Sequence, residues 1–107
     1  MAKPTGVDFD YRGIDEVIHG RARLAIMAYL SGAGTAEFNE IKDRAAVGDG
    51  NLSVHLRKLE EAGYIEVEKS FVGKKPRTLC RLSRTGRDAW IAYIAHMQTL
   101  LATPARG

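Results

Sequence analysis

Asn51 and Arg57 carry flat, two-pronged hydrogen-bonding groups, and the stretch from Asn51 to Lys58 also contains Ser53, Val54 and Lys58. A side-chain amide pairs bidentately with the edge of adenine, a guanidinium does so with guanine, and an apolar contact suits the thymine methyl. Ser53 and Lys58 supply the hydroxyl and ammonium that hold phosphate oxygens. A second set, Lys74, Lys75 and Arg77, follows in the segment GKKPRT. The chemistry within reach of both sets is non-covalent recognition of a polyanion.

Covalent and metal chemistry have less to work with. Cys80 is the single cysteine, and His19, His55 and His96 are scattered without metal-ligand spacing. There is no G-x-S-x-G, P-loop or Cys-His signature, so no catalytic residue, metal or cofactor is expected. Cys80 alternates with Thr78 and Leu82, which places it inside a strand as a small hydrophobe rather than a redox thiol. His55 falls about 60° from Leu52 on a helical wheel and is read as an edge-of-core residue. His19 is read as a packing or capping residue, and an enzyme is the weakest of the functional readings.

These groups must be positioned by the elements around them. Ile14, Val17 and Ile18, then Leu24, Met27 and Leu30, predict a short helix leading into a longer one, which Gly32 and Gly34 stop. Asn39 is placed to cap a short helix ending at Ala45, with Ile41 and Ala45 facing inward beside Phe38. After the turn Ala46-Val47-Gly48-Asp49, a third helix is expected from about Gly50 to Ala62, with Asp49 as its cap and Gly63 ending it. On that helix Leu52, Leu56 and Leu59 share one side. Gly50, Asn51, Val54, Arg57 and Lys58 point away from them, and Ser53 lies on the flank.

The apolar period then changes to two. Ile65, Val67 and Phe71 align on one strand and Thr78, Cys80 and Leu82 on the next, joined through Val72-Gly73-Lys74-Lys75-Pro76 as an antiparallel hairpin with a basic tip. Ser83 can cap a last helix, with Pro104 just beyond its end. The fold class expected is mainly α with a small antiparallel β-hairpin, over residues 11–103, after a loosely held segment 1–10.

The 107 residues suit one domain, and a 45% hydrophobic content supplies its core. No apolar run approaches the roughly 20 residues of a membrane span, and the first ten residues lack a signal peptide's apolar centre, so a cytoplasmic location is expected. The net charge of +3 says little by itself. Its distribution says more: from Lys69 to Arg87 there are basic residues and no acidic one.

The segments HGRARLAIMAYL, FNEIK, DGNLSVHLRKLEEAGYIEVEKSF, GKKPRT and LSRTGRDAW, within Ile18 to Leu101, resemble the compact winged-helix regulators related to the MarR and ArsR groups. The resemblance implies a winged helix-turn-helix in which Asn51-Leu52-Ser53-Val54-His55-Leu56 opens the recognition helix and GKKPRT forms the wing. It implies duplex DNA as partner, at residues the helical wheel selects independently. The metal-sensing role of ArsR proteins does not transfer, because the clustered thiols or histidines it requires are missing. A module binding an acidic protein through the same basic wing and the last helix is the alternative.

In the last helix Trp90, Ile94, Met97 and Leu101 form a stripe flanked by Tyr93 and Leu100, wide for so small a body. Part of it is expected to pack on the first helices, and the rest to form a homodimer interface shared with the region of Phe9 and Tyr11. A two-fold dimer would present two recognition helices to successive major-groove faces. A small-molecule effector is not identifiable, and the groove between the dimer helices near Trp90 and Tyr93 is the default apolar site for one.

Overall fold

The computed structural model describes residues 13–102, so Phe9, Tyr11 and Pro104 lie outside the described residues. The elements are α1 (Arg21–Ala33), β1 (Thr35–Glu37), α2 (Phe38–Ala45), α3 (Asp49–Glu61), β2 (Ile65–Val72), β3 (Lys75–Leu82) and α4 (Arg84–Ala102). The expected mainly helical order with an antiparallel hairpin is the one that forms. One element is added: β1 pairs with β3, giving a three-stranded antiparallel sheet in the order β1-β3-β2.

The short helix expected over Ile14 to Ile18 is instead a turn. Asp15 Oδ1 accepts hydrogen bonds from the Val17 and Ile18 backbone N–H groups, an arrangement that competes with helix at just this kind of residue. Ile18 still reaches the core and is fully buried. The apolar spacing there correctly marks an inward face, but the local backbone is set by the aspartate.

α2 begins one residue before the expected cap. Glu37, not Asn39, occupies the N-cap position and forms a reciprocal capping box with Glu40. The helix ends at Ala46, which takes a left-handed conformation at φ 56°, and Val47 N–H donates to the Lys42 carbonyl over 3.3 Å. That conformation is unfavourable for a residue with a Cβ, and here it turns the chain so that Val47 is buried. Gly48 leads into α3, and Asp49 is its first helical residue rather than its cap, held by Lys42 Nζ at 3.0 Å.

Gly63 closes α3 as expected, at φ 81°, with its N–H on Glu60 O and that of Tyr64 on Leu59 O. This paired closure satisfies two carbonyls that the helix end leaves free. The core is formed where α1, α2 and α3 meet the sheet. Ile26, Met27 and Leu30 of α1 and Leu52 and Leu59 of α3 are fully buried, and Ala36, paired with Cys80, is nearly so.

Candidate nucleic-acid interface

α3 separates its residues by face. Leu52, Leu56 and Leu59 are buried, while Gly50, Asn51, Ser53, Val54, Arg57 and Lys58 are all exposed. The helix follows α2 across a tight turn, whose carbonyl at Ala46 accepts a hydrogen bond from the Arg21 guanidinium of α1 at 3.3 Å. α3 has no side-chain cap, and its first intrahelical bond runs from Leu52 N–H to Gly48 O at 2.8 Å. Its opening turn therefore presents backbone donors outward at the positive end of the helix dipole.

His55 sits at the edge of the core. Its Nδ1 is 3.1 Å from the Arg23 guanidinium, so the ring accepts there, and the outward Arg57–Lys58 face lies to one side of it. Burial, with Arg23 and Lys58 adding positive charge, pushes its pKa below the usual histidine range. Its role in positioning α3 against α1 is structural. His19 likewise packs: its Nδ1 lies 2.9 Å from the Tyr93 hydroxyl.

The hairpin closes tightly. Val72 pairs with Lys75, leaving Gly73 and Lys74 as a two-residue turn, with Gly73 at φ 66° as a side chain would disfavour. Lys74 and Lys75 stand exposed at this tip. Arg77 does not: it is half-buried, and its Nε is shielded from solvent 3.3 Å from Glu37 Oε2. The reason is β1, which brings a carboxylate across from β3 that the sequence places forty residues away. Arg81 is engaged too, 2.9 Å from Glu66 and 3.9 Å from Glu68 on β2. The positive stretch read from Lys69 to Arg87 is thus partly neutralised within the sheet at Arg77 and Arg81, while Lys69, Lys74, Lys75, Arg84 and Arg87 stay exposed.

Helix and hairpin meet in an open groove of about 250 Å³ lined by Ser53, Leu56, Arg57, Glu60, Val67 and Lys69, with Phe38 and Thr78. Arg57 of α3 and Lys69 of β2 therefore border one surface. Cys80 lies beneath it, buried and free, and burial pushes its thiol up to about 11, far from the thiolate that redox chemistry requires. Among the described residues no group of three or more His, Cys, Asp or Glu is placed to hold a metal ion, and no helix is long and apolar enough to cross a membrane.

α4 uses its stripe differently from expectation. Tyr93 is only 5% exposed and belongs to the core of its own chain, its hydroxyl near His19 and its ring stacked 5.9 Å from that of Trp90. Trp90 and Met97 also pack against the core. Tyr93 thus packs within its own chain, and Trp90 lies against it. The outward apolar residues are Ile94 and Leu101, with Leu100 half-buried, joined by Ile91, which is 60% exposed and had not been singled out. Ser83 caps the helix as expected, accepting from Gly86 N–H at 2.9 Å while donating to the Gly63 carbonyl.

A sequence profile described as a winged helix DNA-binding domain matches residues 22–101. An uncharacterized protein of Methanocaldococcus jannaschii is 37% identical over 79 residues, spanning 74% of this chain and 86% of its own. The fold is similar to that of a transcriptional regulator homologue from Pyrococcus horikoshii, with a TM-score of 0.75 and 24% identity over 81% of this chain and 86% of that one. It is also similar to a MarR family regulator from Silicibacter pomeroyi, with a TM-score of 0.65 and 19% identity over 92% and 69% of the two chains. An ArsR family regulator gives 0.53 and 20% identity over 98% and 100%. At these identities the structural likeness speaks for the fold.

Proposed function

Because the chain belongs to the winged helix DNA-binding domain family, we propose that it is a sequence-specific transcriptional regulator that lays α3 in the major groove of duplex DNA and holds the adjacent backbone with its wing. In this reading Asn51 and Arg57 read base edges, with Gly50 allowing close approach and Val54 meeting a thymine methyl. Ser53, Lys58 and the opening turn of α3 hold phosphates. Lys74 and Lys75 form the cationic wing, and Arg77 contributes from its base, with Glu37 offsetting part of its charge.

The observation that carries the reading is the division of α3 into a buried leucine face and an outward face of Asn51, Ser53, Val54, Arg57 and Lys58, bordered by Lys69 of the hairpin. An amphipathic surface helix alone would not require a lysine of the hairpin, Lys69, beside its Arg57. We further propose a cytoplasmic homodimer formed through the outer face of α4, where Ile91, Ile94 and Leu101 remain exposed. Two-fold pairing would place two copies of α3 roughly 34 Å apart and favour an inverted-repeat site.

The wing assignment is tested by titrating duplexes of several sequences at a series of salt concentrations. The variant carrying Lys74→Ala and Lys75→Ala is expected to bind every sequence more weakly and to lower the slope of log K against log [salt] by about 2, one unit for each lost phosphate contact. A variant that altered base preference while keeping the wild-type slope would show that these lysines do not contact the backbone. Wild-type binding to an acidic polypeptide in preference to every duplex would point instead to a protein-interaction module.

A further inference from the structure

The hairpin tip is apolar as well as cationic. Phe71 is 72% exposed and Val72 is 59% exposed, although neither contributes to the core. Phe71 is paired directly with Pro76, one pair below the turn at Gly73 and Lys74. Directly paired residues of an antiparallel ladder project on one face, so the ring and the pyrrolidine form a single outward platform.

The face on which this platform projects follows from its own strand. Val67 and Lys69 line the groove shared with Ser53 and Arg57 of α3. Alternate residues of a strand share a face, so Phe71 points to the same side, about 7 Å beyond Lys69. Glu66 and Glu68, the acidic residues of β2, fall on the other face and are engaged there by Arg81. The α3 side of the tip thus combines an exposed aromatic ring with Lys69 beside it and Lys74 at the turn. A polyanion with apolar slots between stacked planes matches that combination, and duplex DNA beside the major groove has both.

We infer that Phe71, backed by Pro76, is a wedge that enters the minor groove next to the major groove occupied by α3, partly unstacks one base step and bends the duplex. The inference rests on the docking of α3 proposed above. Phe and Pro are among the side chains that unstack steps from the minor groove, and the cost of doing so is lowest at flexible pyrimidine–purine steps. Phe71 would then select sequence at a position that α3 never touches.

The test uses the full chain and duplexes that share the site bound by α3 but carry either TA or AA at the flanking step, with dyes at the two ends to read bending by energy transfer. The wild-type chain is expected to favour the TA duplex by about tenfold and to bend it by roughly 20° or more. Phe71→Ala should bind the TA duplex about tenfold more weakly, lose the step preference and leave the duplex nearly straight, while Phe71→Trp restores both. Thermal unfolding establishes that the variants fold; if Phe71→Ala does not, the wild-type step preference and bend decide the matter. Retention of wild-type bend and step preference by Phe71→Ala, or their absence from the wild-type complex, would overturn the wedge and leave the docking of α3 standing. Failure of the wild-type chain to bind any duplex would overturn both.

Discussion

Arg57→Ala and, separately, Asn51→Ala are expected to bind the preferred duplex of the wild-type chain about tenfold to a hundredfold more weakly, each with relaxed preference at one base pair. Both side chains are exposed on α3, while its anchors Leu52, Leu56 and Leu59 are buried, so the fold should be unaffected. The loss follows from leaving a base edge desolvated without its bidentate partner. Arg57→Lys separates readout from charge: a lysine keeps the attraction to phosphate but loses the planar fork, so affinity for random duplex should persist while base discrimination falls. Competition binding against duplexes mutated at single positions measures this. Uniform weakening across all sequences would reassign Arg57 to the phosphate backbone.

Gly86→Ala is expected to be the most damaging single methyl addition near the start of α4. A Cβ at Gly86 would lie 1.8 Å from the Tyr64 carbonyl oxygen and 2.7 Å from its carbonyl carbon, so the obstacle is backbone and cannot swing aside. The same carbonyl accepts the Ser83 N–H at 3.0 Å, and Ser83 in turn bridges Gly63 and Gly86. Moving α4 away would therefore strain the junction of α3, β3 and α4 together. We expect a loss of about 3 kcal/mol or more, which for a domain of this size lowers the thermal midpoint by roughly 10–20 °C. Gly32 is the control: it lies in α1 with nothing within 4 Å of an added Cβ, and Gly32→Ala should be neutral or stabilising by up to about 1 kcal/mol. Similar melting of the two variants would contradict the close approach at Gly86.

Much of this architecture is legible from local pattern, because local pattern is what fixes it. The leucines at 52, 56 and 59 orient α3 through helical periodicity alone, and their outward neighbours follow. The two strands follow from a period of two, but the connection expected over Val72 to Pro76 is mostly ladder, with Phe71 on Pro76 and Val72 on Lys75, in a register that pairs Val67 with Cys80 and Ile65 with Leu82. Ser83 and Gly63 act as caps through contacts within a few residues or across one junction. What escapes the sequence is non-local. β1 is three residues long, with no periodicity of its own, and exists because β3 offers it an edge. Through β1, Glu37 engages Arg77, which makes a residue read as part of the cationic wing into a half-buried ion-pair partner.

α4 shows the same limit. Its apolar stripe marks a buried face, but periodicity does not say which neighbour covers it. The answer for Tyr93 comes from His19 and Trp90 in the same chain, while Ile91, just beside the stripe, stays outside. The turn after α2 contains a glycine, Gly48. Ala46 instead takes the left-handed conformation, because the burial of Val47 fixes the path of the chain there. A left-handed alanine leaves no compositional trace.

The most direct test of sequence-specific docking by α3 is selection of bound duplexes from a random pool at near-physiological salt, followed by sequencing. The account predicts enrichment of an inverted repeat whose half-site centres lie about one helical turn, or a whole number of turns, apart. Retention of duplexes without enrichment of any sequence, or no retention at all, would contradict it.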